Sequence, residues 1–201
     1  MNKIKSLLKN PTITFEDALS KKINWFKTLF FFSLNGIMFM HLIMKSGGYY
    51  DFSSKKTIFA SIMALITVGV CYGITSNIIL GFLIKLTGKL FNAKNDLKRI
   101  YNAISIAYIP LCISIILLFI NLGISGFLLS NQDKQGVVIL AGLIIIFTLI
   151  QTAISFWQLI LLYKGLKVAQ NLDRTNTILN YLSGAIIFGV FHFLLIKPYL
   201  W

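Results

Sequence analysis

Acidic residues are scarce, six in 201 positions against nineteen Lys and Arg. All six, Glu16, Asp17, Asp51, Asp96, Asp133 and Asp173, lie outside the long apolar runs. Ion-coupled transport, proton relay and intramembrane hydrolysis usually place ionisable groups at mid-membrane depth, so none of the three is expected. Cysteine and histidine are equally sparse, two of each, without the paired spacings of a disulfide framework or a zinc site. Cys71 and Cys112 are predicted to be packed core thiols within apolar spans. His41 and His192 are predicted to be hydrogen-bonded packing residues rather than proton relays. Also missing are a Gly-rich phosphate loop, HExxH and GxSxG, so no catalytic residue, metal ligand or cofactor site is expected.

What the chain does have is apolar sequence in blocks. Hydrophobic residues make up 57% and charged ones 12%, too little polar surface to coat a soluble globule. Charge-free runs extend over Thr28–Met44, Thr57–Ile84, Ile100–Gln132, Gln135–Tyr163 and Thr175–Ile196. A bilayer core about 30 Å thick takes roughly 20 apolar residues as helix, and helix is the default because lipid offers the backbone no hydrogen-bond partner. The expected fold is all-α, a polytopic membrane bundle of five transmembrane helices near residues 25–44, 57–84, 100–121, 136–163 and 178–196. Leu122–Gln135 reads as a connection containing Gly123 and Gly126. The alternative there is a shallow re-entrant segment built on Ile124, Phe127, Leu128 and Leu129.

Residues 1–24 read as a cytoplasmic leader without a cleavable signal sequence. Thr14 is placed as the cap of a short amphipathic helix, with Phe15, Ala18, Leu19, Ile23 and Phe26 along one side, and Lys21 and Lys22 directed at headgroups. An interfacial helix on the cytoplasmic leaflet is expected. Pro11 separates it from the basic stretch Met1–Asn10.

The basic residues are distributed unevenly among the connections. Lys3, Lys5, Lys9, Lys21, Lys22 and Lys27 in the leader fall on one side of the membrane. Lys85, Lys89, Lys94, Lys98 and Arg99 in the second loop fall on that same side, as do Lys164, Lys167 and Arg174 in the fourth. Opposite are Lys45, Lys55, Lys56, Lys134 and Lys197. Positive-inside bias therefore predicts a cytoplasmic N-terminus and an external C-terminus. That bias, with attraction to anionic headgroups, accounts for the net charge of +13 without nucleic-acid binding. Lys89, Lys94, Lys98, Arg99, Lys164, Lys167 and Arg174 are the candidate contacts for anionic lipid or a protein partner.

Inside the spans the polar residues are neutral: Asn35, Thr75, Ser76, Asn77, Gln151, Thr152, Ser155 and Gln158. Interhelical hydrogen bonds are expected of them more than a substrate path. Gly69-x-x-x-Gly73 and Ala103-x-x-x-Ala107 offer faces for close helix approach, and Pro110 removes a helix hydrogen bond and should kink the third span. The loops Leu86–Arg99 and Tyr163–Arg174 share the order Gly, Lys, Ala, Asn, Asp, Arg, which would make spans two-three and four-five a helical-hairpin repeat.

Asn10-Pro-Thr-Ile-Thr-Phe15 before the first span, Tyr101 through Ala107-Tyr108-Ile109-Pro110 at the third, and Phe156-Trp157-Gln158 with Tyr163-Lys164-Gly165-Leu166 closing the fourth together resemble the Yip family of membrane proteins, especially its bacterial branch. The likeness extends from Pro11 to about Val190. Tyr108, Pro110, Trp157 and Gly165 carry much of it. One departure is Asn92-Ala93, where the family often has paired Gly. The resemblance implies a five-helix, non-catalytic protein acting through other proteins or the bilayer. With the Lys, Asn, Ile and Phe bias of an AT-rich bacterial genome, it implies a plasma-membrane protein whose relatives include accessory partners of ABC-type exporters. Two other readings fit these residues: a transporter component lined by Asn35, Asn77, Gln151 and Gln158, and a lipid-organising protein.

Overall fold

Why the leader turns helical is visible at its proline. Asn10 takes the cap position and Pro11 the first helical position, where a missing N–H costs nothing because that donor has no intrahelical partner. The computed structural model describes residues 2–49, 55–94, 96–130 and 134–200. In chain order they form α1 (Asn2–Lys9), α2 (Pro11–Ser20), α3 (Trp25–Ser46), α4 (Lys55–Gly88), a single 3-10 turn (Lys89–Phe91), α5 (Leu97–Ala107), α6 (Leu111–Ser130), α7 (Lys134–Gln170) and α8 (Arg174–Leu200). Among the described residues there is no strand, so the protein is all-helical.

Three of these helices are long and apolar enough to cross a membrane, over Trp25–Ser46, Lys56–Phe91 and Ile139–Gln170. The bent pair α5 and α6 makes a fourth if it is one span. Only 6% of the most apolar window in α7 is buried inside the protein. Ile139, Ile145, Leu149 and Phe156 are all exposed on that helix. Water does not tolerate so much contiguous apolar surface, and lipid does: this is a multi-pass membrane protein.

Two expectations change at the helix ends. Thr14 is not a cap but the fourth residue of α2, with its Oγ1 donating back to the Asn10 carbonyl at 2.9 Å. Leu122–Ser130 is not connection: α6 continues through Gly123 and Gly126. A glycine costs a helix about 1 kcal/mol, whereas an unsatisfied peptide group in an apolar medium costs several. The rest of that expected loop, residues 131–133, lies outside the described residues.

The bend expected at Pro110 is present. Tyr108–Pro110 interrupts the helix, α5 and α6 meet at 47°, and turn bonds bridge the break from Leu111 N–H to the Tyr108 carbonyl and from Ile113 N–H to the Pro110 carbonyl. The ring of Pro110 cannot donate and clashes with the preceding turn, which breaks the i to i−4 ladder at that point.

By contacts the chain divides into two units. The first comprises Met1–Phe30, Thr75–Ala107 and Leu159–Trp201. The second comprises Phe31–Ile74 and Tyr108–Gln158, and its core is Ile37, Met44, Leu65, Leu118 and Leu122. In the second unit Gly36 of α3 lies directly on Gly69 and Gly73 of α4. A methyl group built on Gly36 would run into the Gly69 carbonyl and the Gly73 backbone, and one on Gly69 would stop 2.7 Å from the Ile37 Cα. The small-residue pattern is thus used for packing between neighbouring helices. Phe39 and Tyr72 stack beside it, with centroids 5.0 Å apart.

Candidate functional site

In the first unit the leader is docked. Phe15 is fully buried and Leu19 nearly so. The Phe15 ring fills the space over Gly165, where an added Cβ would meet its Cε1 at 2.6 Å. α2 packs on α5, and the Asn102 amide clips the two together by donating to the Ala18 carbonyl at 3.1 Å. These two side chains, expected to face lipid, are covered by protein. Ile13 and Leu8 remain exposed. On α5, Tyr101 lies over Gly81, donates to the Ile78 carbonyl at 2.9 Å and meets Trp25 edge-on. Gly165 and Gly81 are therefore sites where one helix receives an aromatic ring from another.

A buried polar cluster joins the ends of α4, α7 and α8. Thr87, Gln170 and Asn180 are buried, the latter two at 0% exposure. The Thr87 hydroxyl donates to Asn180 Oδ1 at 2.5 Å, Asn180 Nδ2 to Gln170 Oε1 at 2.7 Å, and Gln170 Nε2 to the Ile84 carbonyl at 3.4 Å. The Gln170 carbonyl accepts from Lys94 N–H at 2.8 Å, which fixes the loop after α4 against the end of α7. Sequence reasoning passed over these three residues because Thr87 and Gln170 fall in the loops beyond the charge-free runs and Asn180 near the start of the last run.

The two loops suspected of being a repeat share a turn. Asn92 and Asn171 are the described non-glycine residues with positive φ, both at 54°. Each is followed by an N–H bonded five residues back, Ala93 to Gly88 and Leu172 to Lys167. That is a left-handed helix stop which Asn tolerates better than most residues. An aspartate then starts the next helix in each case, Asp96 accepting from Lys98 N–H and Asp173 from Asn176 N–H, as N-terminal caps do.

All seven predicted contact residues fall in the first unit. Lys89, Lys94, Lys98, Lys167 and Arg174 are exposed, and Arg99 and Lys164 are half-buried. Lys98 and Arg99, but none of the other five, line a cleft of about 630 Å3. Its other walls are Leu19 and Ser20 at the end of α2 and Lys21, Lys22 and Ile23 just after it, with Asp96 and Asn102 on the side of α5. Lys21 pairs with Asp17 at 2.6 Å on the surface. Arg99 reaches the Val168 carbonyl at 3.4 Å, and its Nε is shielded from solvent without an acceptor.

The remaining predicted residues are placed by packing. Tyr108 is buried with its ring edge on Phe32, Pro110 forms the break, and Trp157 is half-buried in α7. Of the neutral polar groups, Gln151 bonds across to the Ser114 carbonyl at 3.0 Å. Thr152 and Ser155 instead bond back along their own helix, to Thr148 and Gln151, because a short hydroxyl reaches its i−4 carbonyl more readily than a neighbouring helix. Cys71 is exposed rather than packed, and Cys112 is intermediate. Among the described residues no three His, Cys, Asp or Glu converge as a metal site.

No curated protein and no solved structure matches this chain. A family model described as the Yip1 domain matches residues 5–196, nearly the full length, and the chain belongs to that family.

Proposed function

We propose that this protein is a non-catalytic, five-span bacterial plasma-membrane protein with a cytoplasmic N-terminus, acting as an accessory or assembly partner of a membrane system such as an ABC-type exporter. The observation that carries the reading is the first unit's basic surface: the leader is held on α5 and Gly165, and Lys89, Lys94, Lys98, Lys167 and Arg174 are left exposed. A fixed surface of one sign favours a partner or surface of the other sign and speeds encounter with it. The polar residues within the spans support packing over passage, since Gln151 is used up between helices and Thr152 and Ser155 within one. The fifth span in this reading is α8, whose Ile178, Leu182, Ile186, Val190 and Phe193 are all exposed.

Affinity purification of the tagged chain in mild detergent, followed by mass spectrometry against an unrelated five-helix control, tests the proposal. A nucleotide-binding or permease subunit recovered in near-stoichiometric amount is the expected result, lost when Lys94, Lys167 and Arg174 are replaced by Glu. Recovery of the chain alone contradicts the partner role.

A further inference from the structure

We infer that the cleft between the end of α2 and the start of α5 binds the phosphate group of an anionic phospholipid headgroup; the inference rests on the membrane topology proposed above. Four cationic side chains line it, Lys21, Lys22, Lys98 and Arg99, against one carboxylate, Asp96. That carboxylate is already engaged, since its Oδ1 accepts the Lys98 N–H at 3.0 Å. The Asp17 partner of Lys21 lies on the exposed surface, where ion pairs are weak and exchange readily. The cleft thus keeps a net positive charge.

Arg99 says which anion fits. Its guanidinium is held toward α7 by the Val168 carbonyl at 3.4 Å. Arg99 stands on the cleft wall, and its planar guanidinium fork suits phosphate better than it suits a spherical anion. The Asn102 to Ala18 bond holds the two walls in place before any ligand arrives, so little ordering cost falls on binding.

The position of the cleft favours lipid as the source of that phosphate. Ile23 is part of its wall, and Trp25 two residues later opens the apolar helix α3. Two residues span at most about 7 Å, so the cleft lies beside the point where the chain enters the membrane. Trp25 is partly exposed and Phe26 is 84% exposed, as aromatic residues at the headgroup level are. A cleft of about 630 Å3 has room for a glycerophosphate headgroup, and Phe26 provides an apolar surface for the start of an acyl chain. A choline headgroup would bring its own cation against the lysines, so the site discriminates against it.

The full chain, purified in an uncharged detergent, is titrated with phosphatidylglycerol, phosphatidylcholine or inorganic phosphate, with binding read by native mass spectrometry and by the thermal unfolding midpoint. Saturable binding of phosphatidylglycerol with a raised midpoint is expected, and neither effect with phosphatidylcholine. The K22A/K98A variant, altered only at the cleft rim, should bind phosphatidylglycerol at least tenfold more weakly with an unchanged lipid-free midpoint. Arg99→Lys, which keeps the charge and loses the fork, should also weaken binding, while Lys45→Ala should not. Equal binding of both lipids, or wild-type affinity in K22A/K98A, overturns the inference. A midpoint shift reproduced by inorganic phosphate at matched concentration overturns the lipid assignment in favour of a soluble ligand. Alkaline carbonate extraction separates the two levels. A chain retained in washed membranes but lacking phosphatidylglycerol selectivity fails only at the cleft, whereas a chain stripped from them fails the topology.

Discussion

The two units are built with different chemistry from the same helices. The first holds fifteen of the nineteen basic residues, all except Lys45, Lys55, Lys56 and Lys134. It is cross-linked by side-chain hydrogen bonds among Thr87, Gln170 and Asn180, by the Asn102 clip, and by aromatic rings seated on Gly81 and Gly165. The second is held by backbone approach at Gly36, Gly69 and Gly73 and by an aliphatic cluster. Where both surroundings and neighbours are apolar, burial against a neighbour gains little over lipid, and close van der Waals contact must provide the specificity. Where helices end and loops return, orphan backbone groups and polar side chains are present, and a connected polar network becomes the economical way to join them.

That contrast can be broken most severely in the second unit. Gly36→Leu forces a side chain into the backbone of α4, which cannot move aside as a side chain would. Overpacking costs about 1–3 kcal/mol where neighbours yield, and more is expected here because backbone must shift. The variant should be lost from the monodisperse peak in size-exclusion chromatography, whereas Gly123→Leu, with open space at its Cβ position, should not.

Phe15→Ala removes the ring seated on Gly165. Burial of a phenylalanine is worth about 3–5 kcal/mol against alanine, but the loss is capped at the free energy of leader docking. Protease cleavage near Ser20 should therefore rise sharply while the unfolding midpoint of the remainder falls little.

A smaller effect is expected from the polar network. Asn180→Ala leaves Thr87 and Gln170 short of partners, a loss of about 1–2 kcal/mol measurable as a lower midpoint. A T87A/N180A double-mutant cycle should give a coupling near 1 kcal/mol. Replacing all three members together, Thr87→Val, Gln170→Leu and Asn180→Leu, should cost less than Asn180→Ala alone, because no member is left unpaired. The smallest change is at the surface: Lys21→Ala removes an exposed ion pair and should alter stability by less than about 0.5 kcal/mol.

The helices were readable in the sequence because a bilayer admits few alternatives to long apolar segments. The Pro110 bend and the Gly69/Gly73 contact were readable because each follows from a local steric fact. Leader docking was not. Phe15 and Leu19 recur at helical spacing, and that period says which side of α2 is apolar without saying whether lipid or α5 covers it. The extension of α6 past Asn121 was missed because Gly123 and Gly126 read as turn residues in water but not in an apolar medium. The Thr87, Gln170 and Asn180 network joins positions 93 residues apart at its widest, and composition and periodicity carry no information about such pairings. In the basic loops, charge was legible residue by residue, but only the fold singles out Lys98 and Arg99 from the seven and adds Lys21 and Lys22 to them.

The most direct test of the central claim, that the basic loops of this Yip1-domain protein form one cytoplasmic surface, is labelling of single-cysteine variants with a membrane-impermeant maleimide in intact cells. Cys71 and Cys112 are first replaced by Ala, and Cys is then placed at Lys5, Lys94, Lys167 or Lys45. The account predicts that Lys45→Cys is labelled in intact cells, and that Lys5→Cys, Lys94→Cys and Lys167→Cys are labelled only after permeabilisation. Labelling of Lys94→Cys or Lys167→Cys from outside would contradict it.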